Sequence, residues 1–205
     1  MAHRDGRERP AVGAFRMIDS GTPLFRCGDA ATSLFAVRQG TIKTVHLSED
    51  GHERIIAFHV PGEVIGLDAF SSDSHRCDAI AVEHSVCCEL PLPTRAERPH
   101  VQGLLPAIVD LLGRAAAPSL PLARGSARER VTRFLRDHGE RLRRHGLDGE
   151  RLRLSMSRSD IANFLDTRIE TVSRTLQQLH RMNAICVQGS TVDIIDLPAG
   201  DATLP

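Results

Sequence analysis

The chain has 205 residues, 41% of them hydrophobic and 25% charged, enough for two small cores or one large one and far beyond a disulfide-stapled miniprotein. Its 26 Lys and Arg are matched by 26 Asp and Glu, so the formal net charge is zero and no global basic field marks a nucleic-acid partner. Any such field has to be local.

No run of apolar residues is long enough to cross a membrane, and Met1 to Pro10 is polar and arginine-rich with no apolar stretch after it, so a cytoplasmic protein is expected. Five cysteines without paired spacing, apart from adjacent Cys87 and Cys88, suit reduced thiols. Lys43 is the single lysine; nearly all positive charge is arginine.

From about Thr22 to Leu92, short β-like runs alternate with turn signals. Leu34 to Val37 is followed by Gly40, Thr41 to Leu47 by Asp50-Gly51, and Ile55 to Val60 by Pro61-Gly62. A further run, Val82 to Leu90, places Val82, Val86, Cys88 and Leu90 on one face at period two. Regular short strands of this kind predict a β-sandwich, roll or barrel, assigned to residues 15–98.

Pro91, Pro93 and Pro99 then break the β pattern, and Leu104, Leu105, Ile108, Val109, Leu111 and Leu112 recur at helical spacing. Residues 99–125 are read as a connecting helix and linker, stopped by Pro118, Pro121 and Gly125. A second helix opens at Ser126 with Glu129 three residues on, a capping box, and turns Val131, Leu135 and Leu142 inward, while Arg128, Arg133, Arg136, Arg141, Arg143 and Arg144 are read as a solvated face or phosphate contacts. Between Arg124 and Arg181 there are 14 arginines against 8 acidic residues, so the positive charge is concentrated here.

Ser157-Arg158-Ser159-Asp160 is another capping box, opening a short helix through Ile161, Phe164 and Leu165. Asp166-Thr167 reads as a turn whose threonine caps the next helix, about Arg168 to Arg181. In that helix Val172, Leu176 and Leu179 form a buried stripe, and Glu170, Ser173, Arg174 and Gln177 form an opposite one. Arginine forks onto guanine O6 and N7, a carboxylate accepts from cytosine N4, and a small hydroxyl residue permits close approach to a thymine methyl. The plainer readings are that Glu170 completes a capping box with Thr167 and that Arg174 pairs with Glu170 at i+4. Ala184 to Gln188 and Thr191 to Ile195 around Gln188-Gly189-Ser190 form a hairpin, making residues 126–197 a winged helix-turn-helix.

These residues resemble the CRP/FNR family of bacterial transcription regulators over about Thr22 to Asp196. The likeness to the FNR branch is carried by Gly40-Thr41-Ile42-Lys43, by Phe58 to Ala69, by Leu154 to Leu165 and most clearly by Glu170-Thr171-Val172-Ser173-Arg174. The resemblance implies an α+β architecture: an N-terminal double-stranded β-roll of the jelly-roll, cyclic-nucleotide-binding kind, a connecting dimer helix and the C-terminal winged helix. It implies a sequence-specific regulator, not an enzyme, that contacts double-stranded DNA with TTGAT-like inverted repeats as a homodimer and touches RNA polymerase. Glu170, Ser173 and Arg174 take the base-reading places, with Thr171, Gln177, Ser157, Arg158 and Arg168 as further DNA contacts. Pro118 and Pro121 interrupt the stretch that matches the family's dimer helix.

No cofactor is expected. The cyclic-nucleotide branch holds ribose with a glutamate and phosphate with an Arg-Ser pair, whereas here Gly66-Leu67-Asp68 and His75-Arg76-Cys77-Asp78 stand in those places, so cyclic AMP is not expected. Cys88 matches the internal ligand of the FNR iron-sulfur cluster, but no cysteine precedes Cys27 to supply the other three. The competing reading is a metal- or haem-binding roll, a redox sensor or enzyme drawing on Cys77, Cys87 and Cys88, with the C-terminal module binding protein. His46, His52, His59, His75 and His84 lack the close spacing such sites carry.

Overall fold

The computed structural model describes residues 13–48, 50–70, 72–92 and 125–197. The segment assigned to the connecting dimer helix therefore lies outside the described residues. Eight strands form the first module: β1 (Ala14–Ile18), β2 (Pro23–Phe25), β3 (Ser33–Gln39), β4 (Ile42–Leu47), β5 (Glu53–His59), β6 (Val64–Ile65), β7 (Asp78–Ala81) and β8 (Ser85–Pro91). They build two four-stranded antiparallel sheets, ordered β1-β8-β3-β6 and β2-β7-β4-β5. The inward side chains of both sheets, including Phe35, Val37 and Cys87 from one and Phe25, Ile42 and Ala79 from the other, meet in a single core. The expected β-roll is thus present.

The alternation in β8 runs opposite to the expectation. Ser85, Cys87 and Glu89 are the buried set, while Val86, Cys88 and Leu90 are half-buried on the other face. Val82 belongs to the turn before the strand. Period-two reasoning chose the more apolar face, but that face has its own cover: Leu90 and Ala36 pack with Ala31, Leu34 and Val64 in a satellite cluster.

The C-terminal module comprises helix α1 (Ala127–Arg144), strand β9 (Arg151–Arg153), helices α2 (Arg158–Phe164) and α3 (Ile169–Arg181), and the hairpin β10 (Ile185–Gln188) with β11 (Thr191–Ile194). Both capping boxes form, Ser126 with Glu129 and Ser157 with Asp160. The sequence reading missed β9, which adds to the wing in the order β10-β11-β9. All three helices stop in the same manner. Gly146, Asp166 and Asn183 take positive φ just past the cap, and the next amide reaches back to the carbonyl five residues earlier. A methyl group on Gly139 or Gly149 would strike the other's carbonyl oxygen, so α1 meets the loop before β9 backbone to backbone.

The two modules share one apolar core. Val45, Ile55 and Phe58 of the roll cluster with Val131, Phe134 and Leu135 of α1 and Ile161, Val172 and Leu176 of the helix pair. Among the seven phenylalanines of a chain without Trp or Tyr, three meet here. Phe58, Phe134 and Phe164 contact one another edge to face, with ring centroids 5.2 to 6.2 Å apart.

Candidate nucleic-acid interface

Helix α2 is short because both ends are fixed by local chemistry. The Ser157 hydroxyl accepts the Asp160 amide at 3.0 Å, and the Asp160 carboxylate accepts the Ser157 amide at 3.2 Å. At the other end Thr167 N–H donates to Ala162 O at 2.9 Å, with Asp166 left-handed at φ 51°. This overturns the reading of Thr167 as a cap. Its amide is spent closing α2, and the residue before α3 is Arg168, extended and with no side-chain cap bond. The result is a turn of four residues, Leu165 to Arg168, between two helices.

On α3 the buried side is Val172, Thr175, Leu176 and Leu179. Arg168, Glu170, Arg174 and Gln177 are exposed on the other side, with Thr171 and Ser173 half-buried beside them. Exposed glutamate and arginine one turn apart, with a small hydroxyl residue between them, present an acceptor and a forked donor of the kinds that pair with base edges. Ser157 is exposed, but its hydroxyl also bonds the Asp160 carboxylate at 2.8 Å, and Arg158 is half-buried. The hairpin turn Gly189-Ser190 is exposed at the tip of the wing.

One expected surface arginine is not on the surface. Arg141 of α1 is 5% exposed, and its guanidinium forks onto Glu63 of the roll, Nε to Oε1 at 2.7 Å and Nη2 to Oε2 at 2.6 Å. It also donates to the Phe58 carbonyl. Helical periodicity assigned it to the arginine face because Glu63, its partner, is 78 residues away in sequence.

Two family models match, a cyclic nucleotide-binding domain over residues 15–94 and a Crp-like helix-turn-helix domain over residues 129–199. Electron transport regulator A of Shewanella oneidensis is 34% identical over 200 residues, 91% of this chain and 79% of that protein. The transcriptional activator protein Anr of Pseudomonas protegens is 35% identical over 186 residues, 88% of this chain and 76% of the relative. The chain belongs to the CRP/FNR family of bacterial transcription regulators. The solved structure of FixK2 from Bradyrhizobium japonicum superposes with a TM-score of 0.76 at 28% identity, covering 94% of this chain and all of that one. As a CRP/FNR regulator the chain is a DNA-binding protein, with a β-roll, a C-terminal helix-turn-helix and, among the described residues, no helix long and apolar enough to cross a membrane.

In the CRP/FNR roll the residues at issue for a nucleotide or a cluster are Asp68, His75, Arg76, Cys87 and Cys88. Where a nucleotide-binding member would hold ribose and phosphate, the buried His75 stacks on Phe25 with centroids 3.6 Å apart, and its Nδ1 lies 3.2 Å from Asp68. The other Asp68 oxygen accepts the Arg76 amide at 2.7 Å, and the Arg76 side chain is exposed. Asp68 is thus fully engaged with its own loop, and its carboxyl is held below the usual range by those hydrogen bonds against the opposing effect of burial. Cys87 points into the roll and Cys88 away from it, so the adjacent pair cannot converge on one ion. Burial pushes the Cys87 thiol up to about 11 and the Cys77 thiol likewise, so both are protonated thiols in the protein as it stands.

Proposed function

We propose that this regulator reads TTGAT-like inverted repeats as a homodimer, with α3 in the major groove and the hairpin β10–β11 beside the backbone. Glu170, Ser173 and Arg174 would read bases, with Thr171 and Gln177 at the edges of the contact. Arg168, Ser157 and Arg158 would lie against phosphate. The observation that carries this reading is the stripe Glu170, Arg174 and Gln177, exposed on a helix whose other side is built into the core. Charged side chains on a well-packed short helix have no stabilising task that demands this set.

The protein acts on this reading in the cytoplasm, without catalysis and without nucleotide, haem or iron-sulfur cluster, and loops of the roll meet RNA polymerase. Support for a ligand-free reader comes from the self-contained Asp68–His75–Phe25 arrangement and the divergent directions of Cys87 and Cys88. Two-fold symmetry of the site calls for two copies of the chain.

The test is fluorescence anisotropy of the reduced protein, with no added ligand, on an inverted TTGAT repeat and on a scrambled duplex at two salt concentrations. Selective binding to the repeat, steeper in salt for both duplexes than for a neutral ligand, is expected. Equal affinity for the two sequences would remove base reading by α3.

A further inference from the structure

The helix-turn-helix is held by the roll at several separate points. Lys43 Nζ of β4 lies 2.7 Å from Asp160 Oδ1, a residue of the capping box that opens α2. Asn163 of α2 closes over strand β5 with both ends of its amide: Oδ1 accepts the Ile55 amide at 2.8 Å, and Nδ2 donates to the Glu53 carbonyl at 2.8 Å. Strand β5 is the edge of its sheet, so Asn163 takes the place of a neighbouring strand. Nearby, Ser155 Oγ donates to Thr41 Oγ1 at 3.0 Å. On the α1 side Arg141 forks onto Glu63, and the turn glycine Gly62, at φ 97°, lies so close to the ring of His145 that a methyl group would collide with it.

These contacts have a geometric meaning that packing alone would not require. A buried apolar face tolerates rotation and sliding, whereas two-ended hydrogen bonds and a forked ion pair accept one register. Asp160 and Asn163 are placed on α2, the helix preceding the reader, and neither belongs to the exposed stripe of α3. Throughout, the reading stripe remains open to solvent, so docking and DNA access are compatible.

We infer that Lys43 and Asn163 are positioning residues, which with the Arg141–Glu63 fork fix the reading helix at one angle to the roll and so make the spacing of the two half-sites a property of the roll. The inference rests on the DNA reading proposed above. Adding one base pair between half-sites turns one site by about a tenth of a helical turn and shifts it by about 3.4 Å. A rigidly held reader cannot follow such a change without breaking contacts on one side.

The experiment uses the full chain and the variants Lys43→Met, Asn163→Ala and Lys43→Arg, with two readouts. Hydrogen exchange without DNA should quicken at Ile55 and through α2 in Lys43→Met and Asn163→Ala, while β1 and β8 at the far side of the roll stay as protected as in the parent. Anisotropy is then measured on inverted repeats whose half-site separation changes in single base pairs. The parent should show one sharply preferred separation. Lys43→Met and Asn163→Ala should lose on the order of three- to tenfold at that separation while binding neighbouring separations as well as or better than the parent, giving a flatter profile. Lys43→Arg should restore the sharp one. Unchanged exchange at Ile55 and α2, or a uniform loss at every separation, overturns the inference while leaving the DNA reading intact. A parent that selects no repeat at any separation overturns the DNA reading and takes the inference with it.

Discussion

At the scale of single residues, the proposed DNA reading makes Arg174 the side chain on which sequence specificity turns. It is exposed on α3 with Glu170 one turn before it, and among the described residues no ion pair draws it back to the protein. A guanidinium presented in this way forms two parallel hydrogen bonds to guanine O6 and N7, which no other base pair can return. Arg174→Ala is therefore expected to cost on the order of 1–3 kcal/mol on the preferred duplex and to level the affinities of the four variants at the contacted position. Anisotropy over single-base variants reads this directly. A uniform loss that keeps the original preference would instead make Arg174 a phosphate contact. Arg141 is the opposite case, an arginine whose fork is used up within the protein. Removing one partner of such a buried pair costs on the order of 3–5 kcal/mol, because the remaining charge is left without a counterpart.

At the scale of elements, the helix boundaries follow local rules, and so does one weak point. Asp166 occupies the left-handed position after α2, where glycine carries no penalty for its missing side chain. Asp166→Gly relieves that strain and adds some freedom to the unfolded chain, for a net gain of about 0.5–1 kcal/mol and a rise of about 2–3 °C in Tm. Thermal melts of the two proteins decide it, and a lower Tm would mean that the aspartate side chain stabilises the turn by more than its backbone strain costs. The Arg130 side chain bonds the Asp166 carbonyl, not its carboxylate, so that contact survives the change.

The same elements separate what is legible in sequence from what is not. Capping boxes at Ser126 and Ser157, the buried stripe Val172, Leu176 and Leu179 and the hairpin around Gly189 are all written in residues a few positions apart, and each was readable. The cap before α3 was misread because Asp166-Thr167 satisfies two patterns, a helix end and a helix start, and only the backbone hydrogen bond to Ala162 selects between them. The inward face of β8 was misread because both of its faces are covered. The partners of Asn163, Asp160 and Arg141 lie 78 to 117 residues away, so no spacing could reveal them. The nearest signals were a lone lysine in a chain otherwise charged by arginine, and an asparagine within a helix where a better helix former would be expected.

At the scale of the whole molecule, the seam between roll and winged helix carries a pH dependence. His138 on α1 is buried and His59 on β5 is half-buried; both adjoin Arg141, and the Nδ1 atom of each is shut off from solvent without a hydrogen-bond partner. Burial draws the His59 pKa down to about 4, against a partial opposing pull from Glu63, with Arg141 acting in the same direction as burial. Burial and then Arg141 bring His138 down to about 3. From β4, Thr44 faces His59 with a hydroxyl 3.3 Å from Nε2, and from α1 Asp137 lies beside Arg141 at 3.8 Å. Both histidines are thus neutral in the folded protein over a range in which the unfolded chain binds protons on them. The contribution of these two groups to stability is flat above about pH 6.5 and falls as pH drops below it, at about 1.4 kcal/mol per pH unit per histidine, until the folded values near 4 and 3 are reached. Urea unfolding at pH 7 and pH 5 should therefore give a wild-type difference to which each histidine contributes about 2 kcal/mol. His138→Phe keeps a ring to stack on Phe134 and removes one titrating group, so its stability should fall about 2 kcal/mol less between the two pH values, whatever its absolute stability at pH 7. Parallel losses in the variant and the parent would assign the acid sensitivity elsewhere. Because these groups lie where α1 meets the roll, protonating them places positive charge beside Arg141 in the surface that holds the reading helix, and acid should loosen the seam before it melts either module.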